Sequence, residues 1–245
     1  IIDKPFESFT KPTNVIMTTY FCNKKDPQRS KKAPCNDFSY IKPWYNSVKK
    51  LNLNGIIFYD GLSDEFIKKY ETSNIKFAYV NINDTVFSLN DIRYFIYLDY
   101  IIKNSNIKNI FMTDGNDITI VKNPFNIIQN NKIYVGSEVN GSISYLQDKY
   151  NKINNKSNNY KINKNMFFNA GILGGTRNQV IKFLQGMIDI FNNLDNNIKS
   201  NDVNMGVFNI VTNLYFFNNY VTGEPLHSKF KKFENDRKDV YFIHK

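Results

Sequence analysis

The segment KNIFMTDGND, residues 108–117, decides how this chain folds. Lys108–Thr113 reads as a strand, and it stops abruptly in two carboxylates, an amide and a glycine. Short apolar runs bounded by turn residues suit strands buried on both faces, and such strands belong to parallel sheets covered by helices. Upstream, Asn14–Tyr20 (NVIMTTY), Gly55–Tyr59 (GIIFY) and Ile75–Ile82 repeat the pattern. Downstream, strands are predicted at Ile118–Val121, Lys132–Gly136, Phe167–Leu173 and Val240–Ile243.

Helical periodicity fills the intervals. Pro43 sits where a first helical turn tolerates proline, which predicts a short helix over Trp44–Leu51, and Leu62–Tyr70 reads as another. Ser88 with Asp91 forms a capping-box pattern ahead of an apolar stripe of Ile92, Phe95, Ile96 and Ile102. Thr176 with Gln179 repeats it before Val180, Phe183, Leu184, Met187, Ile188 and Phe191. Ser200 is the predicted cap of a helix reaching about Tyr215, with Asp202 in its first turn. The expected fold is α/β, one Rossmann-like domain over residues 1–245, with a mainly parallel central sheet flanked by helices. Residues 148–165, rich in Asn and Lys, read as a polar surface loop.

Composition narrows the field. With 245 residues, 42% hydrophobic and 16% aromatic, the chain can bury a sizeable core and is no disordered tail. No run of 18 apolar residues occurs, so no transmembrane segment is expected. The sequence starts at Ile1 without a basic-then-apolar leader, compatible with an anchor or signal removed upstream. The 39 asparagines and 30 isoleucines fit AT-rich codon usage, which also discounts part of the net charge of +10 as lysine drift. The sequons at Asn83, Asn140 and Asn155 carry no information, because chance alone gives about 4. Cys22 and Cys35 flank a polar, basic stretch. Zinc is not expected there; a loop-closing disulfide and two free thiols both stay open, with free thiols preferred.

The acidic strand end is the strongest constellation. Asp114, Asn116 and Asp117 offer hard oxygen ligands for Mn²⁺ or Mg²⁺, and Gly115 is expected to permit a tight turn. A plain solvated Asp-Gly turn is the alternative. At the ends of other elements stand Thr18, Thr19 and Tyr20, Arg93, Asn169, Asp202, and the terminal pair His244 and Lys245. Glu138 and Glu224 are rival carboxylates, and Trp44 reads as core.

The Asp-x-x-Asp strand end followed by Asn123-Pro124-Phe125 resembles the metal-binding segment of GT-A-fold, nucleotide-sugar-dependent glycosyltransferases. Phe168-Asn169-Ala170-Gly171-Ile172-Leu173-Gly174-Gly175 is similar to their acceptor-side strand, where a small-residue turn leads into a helix. Gly223-Glu224-Pro225 and His244-Lys245 resemble their C-terminal region. The spacing departs from the usual Asp-x-Asp, so Asp114 pairs with either Asn116 or Asp117. The resemblance, spanning about Asn14 to Lys245, implies transfer of a sugar from a UDP-linked donor to a glycan, lipid or protein hydroxyl. It implies metal at Asp114, Asn116, Asp117 and His244. It implies donor contacts from Thr18, Thr19, Tyr20, Arg93, Asn169 and Lys245, and catalytic carboxylates at Asp202 and Glu138.

Other chemistries lack their signatures. Neither a Gly-x-Gly-x-x-Gly nor a P-loop occurs, there is no Gly-x-Ser-x-Gly elbow, and two histidines give little support to a hydrolase triad. A metal-dependent nucleotidyltransferase and a non-catalytic basic domain binding nucleic acid or sugar are the alternatives. Nucleic acid is not the expected partner, because the lysines are scattered. The expected location is the cytoplasm or the lumen of the secretory pathway.

Overall fold

The computed structural model describes residues 9, 11–27, 29–138, 151, 153 and 166–245. In β1 (Thr13–Tyr20) successive side chains point to opposite faces. Val15 and Met17 enter one apolar cluster and Ile16 enters the other, all fully buried. Helices therefore have to cover both faces. On one side lie α1 (Phe38–Lys50) and α2 (Asp64–Tyr70); on the other lie α3 (Leu89–Lys103), α4 (Arg177–Asn192) and α6 (Asn204–Tyr215), the last preceded by one turn, α5 (Asn196–Lys199).

The remaining strands are β2 (Asn54–Tyr59), β3 (Ile75–Tyr79), β4 (Ile107–Thr113), β5 (Ile118–Ile120), β6 (Ile133–Ser137), β7 (Phe168–Thr176), β8 (Tyr220–Val221) and β9 (Phe242–His244). With β1, six of these form a seven-stranded sheet in the order β3-β2-β1-β4-β7-β6-β8, and β5 pairs with β9 in a separate ribbon. The sheet is mainly parallel, as expected of an α/β chain. Only β7 runs against its neighbours β4 and β6. An apolar run buried on both faces looks the same in either direction, so the sequence carries no sign of this reversal.

Several expectations are corrected. α1 starts at Phe38, not near Pro43, because the Asp37 carboxylate caps it by accepting from the Ser39 N–H (2.9 Å). Phe38 then stacks on Tyr70, with ring centroids 4.1 Å apart. Pro43 consequently lies inside the helix. Ile102 is 54% exposed, outside the buried stripe of α3. Thr176 stands at the N-cap of α4 without a side-chain capping bond. Gly174 and Gly175 continue β7 instead of turning: Gly174 lies against the Phe111 ring of β4, where a Cβ would collide with it. Cys22 and Cys35 form a disulfide, contrary to the preferred free thiols. The Asn/Lys-rich stretch 148–165 lies, apart from residues 151 and 153, outside the described residues. No described helix is long and apolar enough to cross a membrane.

Gly174→Ala should destabilise the chain by about 1–3 kcal/mol through overpacking against Phe111. The urea midpoint measures this, and an unchanged midpoint would show that the ring moves aside freely.

Candidate functional site at the carboxyl ends of β1 and β4

From β1 the chain moves outward through β2 and β3, then returns on the other side of β1 as β4. In such sheets a crevice opens where the order reverses, beyond the carboxyl ends of the strands. A cavity of about 850 Å³ lies there. Its lining gathers Thr19, Arg93, Asp114, Asn116 and Asp117 with Glu138, Asn169 and Asp202, which the sequence scatters over 184 positions. Thr18 and Tyr20, predicted as nucleotide contacts, are fully buried instead. The Tyr20 hydroxyl donates to the Pro34 carbonyl (2.5 Å), so the ring belongs to the core. Trp44 is core too, its Nε1–H donating to Thr113 Oγ1 (2.8 Å).

Arg93 and Asp114 make the floor. Arg93 is 9% exposed and its Nη1 lies 2.5 Å from Asp114 Oδ1. Its Nη2 donates to the Tyr94 hydroxyl (3.1 Å) and the Ala170 carbonyl (3.3 Å). Burial alone would raise the Asp114 carboxyl, but the charge and hydrogen bond of Arg93 outweigh it and hold the group below its ordinary value. Asp114 thus stays ionised. Gly115 next to it is needed for room more than for a turn: a Cβ there would sit 2.9 Å from both Thr18 Oγ1 and Ile41 Cδ1.

The second carboxylate oxygen of Asp114 faces His244 across Gly171. A Cβ built on Gly171 would lie 2.8 Å from His244 Nε2, 2.9 Å from Asn169 Oδ1 and 2.9 Å from Asp114 Oδ2. Three polar atoms therefore converge on a space that only glycine leaves open. His244 is 1% exposed, and neither ring nitrogen has a hydrogen-bond partner among the described residues. Burial pushes its pKa down to about 3 against the pull of Asp114, so the imidazole is neutral and free to act as a ligand. An orphaned imidazole beside an ionised carboxylate fits a divalent cation. Among the described residues, however, no three His, Cys, Asp or Glu side chains stand close enough to hold one alone.

Asp117 takes a different partner. Its Oδ2 lies 3.5 Å from Arg29 Nη2, from the loop between the two cysteines. Burial and the Asp114 charge raise its pKa, with Arg29 opposing. The backbone N–H of Lys245 donates to the Asp117 carbonyl (2.9 Å), which ties β9 to the acidic turn; the Lys245 side chain does not line the cavity. Tyr40 of α1 completes this wall, its pKa raised to about 12 by burial and by Asp114.

On the opposite wall Asn169 Nδ2 donates to Glu138 Oε1 (2.6 Å), and its Oδ1 accepts from the Gly171 N–H (2.7 Å). Asp202 does not lie in a first helical turn. Ser200 closes α5 instead of capping the next helix, and Val203 stands at the N-cap of α6. Asp202 holds a left-handed backbone (φ 51°), with its Oδ1 accepting from Ser88 Oγ (3.3 Å) and Asn204 Nδ2 (2.7 Å). Beneath it Asp91 is fully buried and accepts from the Val203 N–H (3.2 Å). This contact pulls the chain away from the helical start that Ser200 signals. Glu224 pairs with Arg237 (3.0 Å) outside the cavity.

Sequence reasoning missed Arg29, Tyr40 and Gly171 as site residues and read Asp91 only as a cap. Arg29 is the lone arginine of the loop, a weak signal; nothing in the spacing marks Gly171. No family model matches the chain, and no match was found among curated proteins.

Asp91 gives a pH test. Burial, then the Asp202 charge, raise its pKa to about 7, against Ser88 and the Val203 and Asn204 amides; Tyr94 also feels its charge. A pKa raised on folding favours the folded state most at low pH, and that contribution is lost as pH climbs from about 4 to about 7. Asp91→Asn should therefore gain stability over the parent by at least about 1 kcal/mol between pH 4 and pH 8. Parallel profiles of Tm against pH would contradict the assignment.

Proposed function

We propose that this chain is a GT-A-like glycosyltransferase that moves a sugar from a UDP-linked donor to a hydroxyl acceptor. The observation that carries this reading is the convergence of Asp114, Gly171 and Asn169, which line the switch-point cavity, with the His244 imidazole buried directly behind Gly171. The reversed β7 between β4 and β6, in an otherwise mainly parallel sheet, is consistent with it.

Asp114 Oδ2, His244 Nε2 and, through its amide oxygen, Asn169 would hold a Mn²⁺ or Mg²⁺ ion, with Asn116 and Asp117 at the cavity side. Bound there, the ion would neutralise the leaving diphosphate as a Lewis acid. Arg93 keeps Asp114 ionised and adds positive charge behind it. In the transfer, the bond between the anomeric carbon and the donor phosphate oxygen breaks, leaving UDP. The acceptor oxygen bonds to the same carbon, and its proton passes to a carboxylate, for which Asp202 on the cavity wall is the proposed acceptor. Glu138 orients Asn169. The Cys22–Cys35 disulfide favours an oxidising compartment, the secretory lumen over the cytoplasm.

Combined substitution Asp114→Asn and Asp117→Asn should lower UDP-sugar turnover, read as donor hydrolysis with Mn²⁺, by at least about 100-fold. An unchanged rate would remove the diphosphate assignment. Release of pyrophosphate in place of UDP would identify a nucleotidyltransferase.

A further inference from the structure

The stretch between the cysteines is a hairpin that leans on the cavity. Its base is closed by the Cys22–Cys35 disulfide and by the Asp60 carboxylate, which accepts from the Cys22 N–H (2.8 Å) and the Asn23 N–H (3.2 Å). Lys25 and Lys32 form an antiparallel bridge. At the tip, the Asp26 N–H donates to the Lys31 carbonyl (2.8 Å), the Ser30 N–H to the Asp26 carbonyl (2.8 Å) and the Arg29 N–H to Asp26 Oδ1 (3.1 Å). These bonds aim Arg29 at Asp117 across 88 positions of sequence.

A side cavity of about 270 Å³ is lined by the hairpin residues Arg29, Lys31 and Lys32 together with Tyr40 and Asn90. It shares Thr19, Asp26, Arg29, Tyr40 and Asn90 with the main cavity, and among the described residues Arg29 is the one cation common to both, so its guanidinium stands at their junction. Its ion pair is weakly held. The Arg29 side chain is 54% exposed and that of Asp117 33%, and at such exposure a pair contributes little. A diphosphate is a stronger partner for a guanidinium than one half-solvated carboxylate, because it offers several charged oxygens to the planar fork.

We propose that Arg29 is a diphosphate ligand, held in reserve against Asp117, and that the disulfide-closed hairpin is the element that positions it. The inference rests on the donor site proposed above and adds to it a residue and a device outside the sheet.

Calorimetry of the full chain with Mn²⁺ and three probes, inorganic pyrophosphate, UDP and uridine, tests it. Arg29→Gln should weaken pyrophosphate and UDP about tenfold, leave uridine unchanged and leave the urea midpoint unchanged. Arg29→Lys should recover part of the loss. Lys31→Gln and Lys32→Gln should each cost clearly less than Arg29→Gln. Cys22→Ser with Cys35→Ser should weaken the phosphate probes in the same direction while unfolding cooperatively; if that variant does not fold, Asp60→Ala, which removes the second closure of the hairpin base and keeps the disulfide, gives the readout.

Unchanged affinity of Arg29→Gln, an equal loss for uridine, or equal losses for both lysine variants would each overturn the role of Arg29. Full affinity in the folded cysteine variant would overturn the role of the hairpin. If the wild-type chain binds neither pyrophosphate nor UDP, the donor site itself falls, and this inference with it. That outcome is distinct from wild-type binding with indifferent variants, which sinks the inference alone.

Discussion

Burying a guanidinium costs several kcal/mol unless a carboxylate and further acceptors meet it, and in this chain Arg93 is met by Asp114, the Tyr94 hydroxyl and the Ala170 carbonyl. The partners come from the end of β4, from α3 and from β7, so one side chain fixes three elements against each other at the cavity floor. Such a pair adds little net stability compared with apolar packing, yet losing one member would strand the other charge in the interior. The consequences spread outward. With Oδ1 committed to Arg93, Asp114 presents Oδ2 toward Gly171 and His244, and the absence of a side chain on Gly171 lets the imidazole approach. His244 in turn sits there because β9 pairs with β5 just beyond the acidic turn, with His244 in register with Ile118.

The carboxyl groups around the cavity are driven apart in charge state. Asp114 is held ionised by a buried cation, Asp91 is pushed toward neutrality by burial and by Asp202, and Asp117 is raised by burial and by its charged neighbour. Environments that separate the pKa values of nearby acids are how one site comes to hold groups with different tasks. Asp91 shows that separation can also be structural. Its carboxyl carries the Val203 amide, while Ser88, which accepts from the Asp91 amide, donates to Asp202. The capping residue of α3 thereby holds the loop that brings Asp202 to the cavity.

Much of this arrangement is visible in the sequence, and what is hidden has identifiable causes. Apolar runs such as GIIFY and KNIFMT locate the strands, and the abrupt Asp114–Asp117 end locates the crevice, because burial dictates composition locally. The direction of β7 is not local, since FNAGIL buries both faces either way. Ser200 and Pro43 are sound local signals that lose to distant contacts, the Asp91 carboxylate in one case and the Asp37 cap with the Phe38–Tyr70 stack in the other. Gly115 illustrates a subtler failure: the residue type is read correctly as special, but the constraint is space beside Thr18 and Ile41, not backbone angle. His244 is legible only through the family resemblance, since the β5–β9 pairing that places it is not local, and Arg29 reaches the site through a loop whose disulfide the sequence leaves open. Asn169, read through the family resemblance, is held in place by Glu138.

The charge of +10 acquires a different meaning once it is mapped. Lys122 and Lys132 donate to backbone carbonyls of exposed loops, and Lys103 pairs with Asp99 within its own helix. The cavity runs against the net charge of the chain: its lining carries Asp26, Asp114, Asp117, Glu138 and Asp202 but only Arg29, Arg93 and Lys231 as cations. A nucleic-acid surface would concentrate basic residues, whereas this lining has five formal negative charges against three positive. Field alone would repel a diphosphate from such a floor at short range. It would enter only with a cation supplied at Asp114 and His244, or with Arg29 released from Asp117, and the two needs are complementary. In the proposed reading, a divalent ion held by Asp114 and His244 would offset the acidic floor and the hairpin guanidinium would meet the phosphates, which accounts for an acidic cavity in a basic protein.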